Sequence, residues 1–99
     1  MYRFIRTSTV KNAAQLPAAL AFASQVTAYL NKSYSLKMYY GVEQFGSPCI
    51  HWHFDADSLD KMQLVNEKLI ADPEYAALLE KYKDIWTEGA MQDKVVRLA

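Results

Sequence analysis

Residues 49–55 have the sequence CIHWHFD, in which large apolar side chains alternate with polar ones. Successive side chains of a β-strand point to opposite faces of a sheet, so Ile50, Trp52 and Phe54 share one face and the two histidines share the other. Both faces of this strand therefore carry bulky side chains. We predict a strand that is covered on both sides, by helices on one face and by a second surface on the other.

The stretch before this strand predicts a partner for it. Gly46-Ser47-Pro48 is a typical turn sequence, and residues 36–45 alternate in the same way. One side of this earlier strand carries Leu36, Met38, Tyr40 and Val42. Two strands joined by so short a turn pair in antiparallel fashion, so we predict a β-hairpin.

The first helical region lies upstream of the hairpin. Its apolar residues fall on one broad face at the roughly 100° spacing of an α-helix. That face carries Leu16, Ala19, Leu20, Phe22, Ala23, Val26, Tyr29 and Leu30. Two starts remain open, since Asn12 and Gln15 resemble a capping box whereas Pro17 suits the first helical position. The helix is expected to end at residues 31–33.

The second helical region is predicted at residues 58–87. Asp57, followed three residues later by Asp60, has the spacing of a helix N-terminus. Asp72-Pro73 then restarts the helix, with the aspartate as N-cap and the proline at the first position. Gly89 is a suitable stop.

Two more strands complete the pattern, one at residues 2–10, rich in aromatic and β-branched side chains, and a short one at residues 94–98. The element order is βαββαβ. This order predicts an α+β, ferredoxin-like domain over residues 1–99, with a four-stranded antiparallel sheet and two helices on one face.

The composition indicates a second buried surface. The hydrophobic fraction is 52% and the aromatic fraction 13%, and the former exceeds the usual roughly 45–50%. A chain of 99 residues has too little interior to bury so much apolar area by itself. We therefore predict a homodimer interface, a ligand cavity, or both.

The charges and the single cysteine limit the partners and the location. Eleven basic and eleven acidic residues balance, which argues against nucleic acid and anionic membranes as partners. Residues 13–31 carry no charge, but polar residues and Pro17 interrupt them, so we expect neither a signal peptide nor a membrane span. The one cysteine, Cys49, fits a reducing compartment, and we expect a cytoplasmic location.

Two segments resemble the dimeric α/β-barrel superfamily, which includes antibiotic-biosynthesis monooxygenase-like, stress-responsive barrel and NIPSNAP-type domains. They are WHFDADSLDKM at 52–62, similar to the exit of the third strand, and DPEYAALLEKYKDIW at 72–86, similar to the second half of the family's long second helix. The resemblance implies that two sheets pack face to face and leave the helices outside. Haem-degrading members rely on a histidine in the second helix; residues 58–87 contain none, so we expect no haem.

The two histidines are the first candidates for chemistry. His51 and His53 lie about 7 Å apart on one side of a strand, a spacing at which two imidazoles can share a metal. Asp55, Cys49 or Glu43 would have to supply a third ligand. None of them is a convincing ligand, so we predict polar residues in a barrel interior, with no metal and no other cofactor. A Cys49–His51 nucleophile pair is disfavoured, since neighbouring side chains on one strand face do not converge.

The arginines and aromatic residues suggest further sites. Arg3, Arg6 and Arg97 could meet an anionic ligand, pair with carboxylates or lie at the sheet edge. We favour a pocket between sheet and helices for a small apolar or aromatic molecule, although core packing is an alternative for Trp52. The candidate lining residues are Phe4, Phe22, Tyr40, Trp52, Tyr82 and Trp86.

Two other functions remain open. One is a cofactor-independent oxygenase or an isomerase on the same scaffold, with His51 or His53 as general base. The other is a dimer that recognises another protein.

Overall fold

The computed structural model describes residues 1–43 and 45–99. Within these residues the chain forms four strands and three α-helices, with 3-10 turns at Ala13–Gln15 and Lys83–Ile85. The strands are β1 (Tyr2–Thr9), β2 (Tyr39–Glu43), β3 (Cys49–Ala56) and β4 (Gln92–Arg97). The helices are α1 (Leu16–Ser33), α2 (Leu59–Ile70) and α3 (Pro73–Lys81).

The strands form one antiparallel sheet in the order β2-β3-β1-β4. The predicted α+β, ferredoxin-like architecture is confirmed. The register pairs Phe4 with Phe54 and Arg6 with Trp52, so these four side chains share the face that packs against the helices. The opposite face, which we call the open face, carries His51 and the other odd-numbered residues of β3.

The core lies between the helix-facing side of β3 and the apolar stripe of α1. Ile50, Trp52 and Phe54 are all buried, as the alternation in residues 49–55 predicts. The helix contributes Ala19, Phe22, Ala23, Val26 and Leu30, all buried. The alternation of apolar and polar residues along β3 and the helical periodicity of α1 give each element one apolar side, and these two sides pack against each other.

The second helical region differs from the prediction, because it contains two helices rather than one interrupted helix. Asp72 and Pro73 begin α3 as predicted, since proline has no N–H for an interior helical hydrogen bond. The helix ends at Lys81, well before Gly89. Beyond it the chain turns so that Trp86 can form a β-bridge with Val10, which requires extended backbone.

The helix caps also differ in part from the prediction. Ser58, rather than Asp57, is the N-cap of α2, and its hydroxyl accepts a hydrogen bond from the backbone N–H of Lys61. Asp57 instead pairs with the Lys61 ammonium at 2.9 Å. Asn12 makes no capping hydrogen bond through its side chain within the described residues, and Pro17 lies in the first turn of α1.

Strand β2 is shorter than the predicted residues 36–45. The strand begins later than predicted because the Asn31 side chain forms hydrogen bonds with both backbone groups of Met38. Its amide oxygen accepts from the Met38 N–H at 2.7 Å, and its amide nitrogen donates to the Met38 carbonyl at 3.1 Å. At the other end, Gln44 lies outside the described residues and Phe45 is in the turn. The last strand begins two residues earlier than predicted, at Gln92, and ends at Arg97.

No helix in the described ranges has the length and hydrophobicity needed to cross a lipid bilayer.

Candidate functional site: a cleft between sheet and helices

A cleft of about 820 Å³ lies between the helix-facing side of the sheet and the helices. Strands β1, β3 and β4 contribute to one wall, and all three helices contribute to the other. The cleft is open to solvent, and its lining includes four exposed apolar residues, Leu59, Leu79, Met91 and Val95. Its volume lies within the range typical of small-molecule sites.

An aromatic cluster forms part of the cleft wall. The Trp52 ring packs edge-on against Phe22 and Trp86, with ring centroids 6.0 Å apart in both pairs. Tyr82 contacts Phe22 on another side, at 5.4 Å, and its hydroxyl accepts a hydrogen bond from Gln25. Trp52 is only 5% exposed, and its indole N–H has no acceptor among the described residues. Trp52 therefore belongs both to the core and to the cleft wall.

A polar group interrupts this apolar wall on β1. The Arg6 guanidinium donates two parallel hydrogen bonds to Asp93 of β4, from Nε at 2.8 Å and from Nη2 at 2.9 Å. Its Nη1 also lies 3.4 Å from the Tyr75 hydroxyl of α3. The hydrogen bond with Asp93 raises the pKa of Arg6 above its usual value, although partial burial acts in the opposite direction. The cleft thus has a permanent cation beside its aromatic residues.

The predicted histidines lie on the open face, away from the cleft. His51 bridges two strands: its Nδ1 lies 3.0 Å from the Thr7 hydroxyl and its Nε2 lies 3.2 Å from the Glu43 carboxylate. His53 instead stacks on Tyr39, with centroids 5.4 Å apart. Each histidine thus has a separate set of partners.

The possible third metal ligands are dispersed on this face. Asp55 forms two hydrogen bonds with Arg3, which lower the pKa of its carboxyl. Cys49 lies near Thr9, with its sulfur 3.5 Å from the hydroxyl. Among residues 1–43 and 45–99, no three histidine, cysteine or acidic side chains form a group suited to a metal ion.

The structure brings together four of the six predicted lining residues. Phe4, Phe22, Trp52 and Trp86 line the cleft, whereas Tyr82 lies behind Phe22 and Tyr40 lies outside the cleft on edge strand β2.

Pairing with a carboxylate was one of the roles left open for Arg6, and the structure shows this pairing with Asp93. Sequence reasoning did not identify Asp93 as the partner, and it missed the approach of Tyr75. The strand alternation does place Arg6 on the same face as Phe4, which was the available signal. The contact with Tyr75 depends on how α3 lies over the sheet, and local sequence contains no such information.

These elements and this cleft define an α+β protein with the fold of the dimeric α/β-barrel superfamily, the group that the sequence resembles. No family model matches the sequence, and neither does any curated protein. Solved structures do match. An Agrobacterium tumefaciens protein described as a NIPSNAP family protein with unknown function is 26% identical, with a TM-score of 0.82 over 100% of this chain and 88% of that chain.

Two other similar structures extend the comparison. A protein described as an antibiotic biosynthesis monooxygenase has a TM-score of 0.70 at 8% identity and covers 100% of this chain and 99% of its own. A dimeric ferredoxin-like protein from an uncultured marine organism has a TM-score of 0.73 at 18% identity, over 99% and 94% of the two chains. At these identities the likeness concerns the fold alone.

Proposed function

We propose that this protein binds a small apolar or aromatic molecule in the cleft between the sheet and the helices. The observation that carries the proposal is an open cleft of about 820 Å³ whose wall includes Phe22, Trp52 and Trp86. Aromatic side chains offer large, rigid contact surfaces to a ring-shaped ligand. The Arg6–Tyr75 pair adds the few polar groups that orient a ligand in such sites.

The proposal includes a homodimer formed through the open face. That face is uncovered in a single chain, yet it carries Tyr39, which is 60% exposed, and Val96, which is 42% exposed. A second copy would cover these side chains with the same face of its own sheet, as in an isologous two-fold interface. The dimeric description of one similar structure supports this arrangement.

Two adjacent valines of β4 allow both parts of the proposal to be tested with the same substitution. Val95 lines the cleft and Val96 lies on the open face. Val95→Glu should weaken binding of the neutral fluorescent probe N-phenylnaphthylamine about tenfold or more, since it places a charge beside the ligand, and should leave the dimer intact. Val96→Glu should give the 11.3 kDa monomer in light scattering and leave probe binding intact.

The two outcomes separate the two parts of the proposal. Unchanged probe binding by Val95→Glu, or no probe binding by the wild type, would refute the cleft as the binding site. A wild-type monomer at micromolar concentration would refute the dimer. Lys68→Glu, at an exposed position of α2, serves as a control and should change neither measurement.

A cofactor-independent oxygenase or isomerase is the second candidate, favoured by the Arg6–Tyr75–Asp93 cluster at the cleft. The histidines proposed as general bases point to the opposite sheet face, so a reaction in the cleft would have to use these residues instead. Dioxygen uptake with a dihydroxynaphthalene, measured against the uncatalysed rate, tests the oxygenase. No excess uptake would favour the binding function alone.

Two further parts of the proposal concern partners and location. If the cleft binds no probe, recognition of another protein becomes the preferred function. A cytoplasmic location is supported by Cys49, which is the one cysteine of the sequence; cell fractionation tests it.

A further inference from the structure

The cleft contains more hydrogen-bond donors than acceptors for them among the described residues. A guanidinium has two edges that can each contact a pair of oxygens: the Nε/Nη2 edge and the Nη1/Nη2 edge. In Arg6 the first edge is taken by Asp93. The second edge has one partner within the described residues, the Tyr75 hydroxyl, at the long distance of 3.4 Å from Nη1. Arg6 therefore retains donors for a further acceptor.

Two neighbouring side chains add to this excess of donors. The Tyr75 hydroxyl accepts from Arg6, so its own proton remains to be donated, and the described residues offer it no acceptor. Trp52, in the same cleft, has an indole N–H without an acceptor in the described part of the chain. Of these three donors only the Trp52 indole N–H is fully buried, and a buried donor without an acceptor destabilises a protein, so it indicates an unseen partner in the cleft. The Arg6 guanidinium and the Tyr75 hydroxyl are partly exposed and can still donate to a ligand that enters the cleft.

The charges around the cleft favour a neutral partner over an anion. Asp93 already neutralises Arg6. The lining includes the cations Arg6, Lys11 and Lys83 and four carboxylates, which belong to Asp60, Asp84, Glu88 and Asp93. Carboxylates thus outnumber cations, so an anionic ligand would gain little electrostatic attraction.

We propose that the ligand of this cleft is an uncharged ring compound with a ketone-type carbonyl oxygen, which accepts hydrogen bonds from the free edge of Arg6 and from Tyr75. This inference rests on the proposed binding function and adds the chemical class of the ligand. The rings would lie against the aromatic wall near Trp52, and the carbonyl would meet the donors on β1 and α3.

Three fluorescent naphthalene probes test this class. Prodan is neutral and has a ketone, N-phenylnaphthylamine is neutral without one, and anilinonaphthalene sulfonate is an anion. The key variant is Arg6→Lys, which keeps a cation beside Asp93 but lacks the second guanidinium edge. Loss of a hydrogen bond from a charged donor should weaken Prodan binding about tenfold, with N-phenylnaphthylamine affected less than about twofold. Bound Prodan should also emit at shorter wavelength in the variant, because its carbonyl loses a hydrogen bond.

Arg3→Lys is the matched control. Arg3 makes the same two-point contact with Asp55, at 2.8 and 3.1 Å, but on the open face, so its replacement should leave the Prodan affinity unchanged. Tyr75→Phe is a second test that leaves the Arg6–Asp93 pair untouched, and it should weaken Prodan binding about threefold to tenfold, as expected for one neutral hydrogen bond. Circular dichroism confirms that each variant is folded.

The outcomes distinguish this inference from the function on which it rests. The carbonyl class would be overturned if Arg6→Lys lost equal affinity for Prodan and N-phenylnaphthylamine, or if the sulfonate bound more tightly than both neutral probes. In either case the cleft would remain a binding site. If Arg6→Lys does not fold, an unaltered Prodan affinity in Tyr75→Phe would overturn it. Failure of all three probes to bind would overturn the proposed function itself.

Discussion

Asp72 connects three helical elements through one carboxylate. Its Oδ1 caps α3, because it accepts hydrogen bonds from the backbone N–H groups of Glu74, at 2.9 Å, and of Tyr75. Its Oδ2 accepts from the hydroxyl of Tyr29 on α1, at 2.5 Å, and from the hydroxyl of Tyr34 just beyond α1. The side chain thus fastens the end of α1 to the junction between α2 and α3.

These contacts predict a pH dependence of stability. The hydrogen bonds from Tyr29 and Tyr34 lower the pKa of Asp72 from 3.8 to about 2. A group whose pKa is lower in the folded state stabilises the fold fully above its unfolded pKa and loses that contribution as the pH falls. Stability from Asp72 should therefore be lost between about pH 4 and pH 2.

The Tyr34 hydroxyl gives the opposite dependence at high pH. Its hydrogen bond to Asp72 raises its pKa from 10.0 to about 12. That stabilisation is complete below the unfolded pKa and is lost as the pH rises from 10 towards 12.

Asp72→Asn should keep the helix cap, because asparagine is also a good N-cap residue, but should remove both pH dependences. Urea unfolding midpoints measured from pH 2 to pH 11 check this. The variant should lose less stability than the wild type on acidification, while Glu67→Gln, at an exposed site on α2, should follow the wild type. Parallel profiles for Asp72→Asn and the wild type would contradict the prediction.

At the scale of elements, Asn31 determines where β2 begins. Its amide forms two hydrogen bonds with the backbone of buried Met38 and so holds the loop between α1 and the strand. Asn31→Ala should lower the free energy of unfolding by about 1–3 kcal/mol, because Met38 keeps buried backbone groups without partners.

Chemical denaturation measures this loss of unfolding free energy, and two further variants serve as comparisons. Asn31→Asp keeps the acceptor for the Met38 N–H but loses the donor, so its stability should lie between those of the wild type and the alanine variant. Lys32→Ala, at the neighbouring exposed position, should have little effect. An equally small effect for Asn31→Ala would show that solvent replaces the amide.

The elements that sequence predicted well are those with a strong, uninterrupted pattern. The alternation at 49–55 matches β3 almost residue for residue, and the apolar stripe of α1 is the stripe that is buried. The pattern failed where a specific contact that it does not encode overrides it. Asn31 shortens β2, and the pairing of Val10 with Trp86 ends the second helical region early.

At the scale of the whole molecule, the proposed dimer predicts that thermal stability depends on concentration. Association stabilises the folded chain by mass action. The Tm of the wild type should therefore rise by about 4 °C for each tenfold increase in protein concentration. Differential scanning calorimetry checks this over two decades of concentration. A Tm independent of concentration in the wild type would argue against a dimer coupled to folding, and Val96→Glu should show that independence.

The site itself was only partly predictable at this scale. The aromatic wall follows from alternation and helical periodicity, which place Phe22 and Trp52 in the core by local rules. The Arg6–Tyr75 contact joins residues 69 positions apart and depends on how α3 rests on the sheet. Sequence patterns identify the faces of elements, but not the distances between the elements that form a cleft.

The strand order β2-β3-β1-β4 determines when the sheet can assemble. The hairpin of β2 and β3 is local and can form within microseconds. By contrast, β1 must wait for two later partners, and its contact between Arg6 and Asp93 spans 87 residues. Closing so long a loop slows folding, and during synthesis the first strand leaves the ribosome with both edges unpaired. We expect this strand to be the part of the nascent chain most exposed to association with other chains, and β4 to end that exposure.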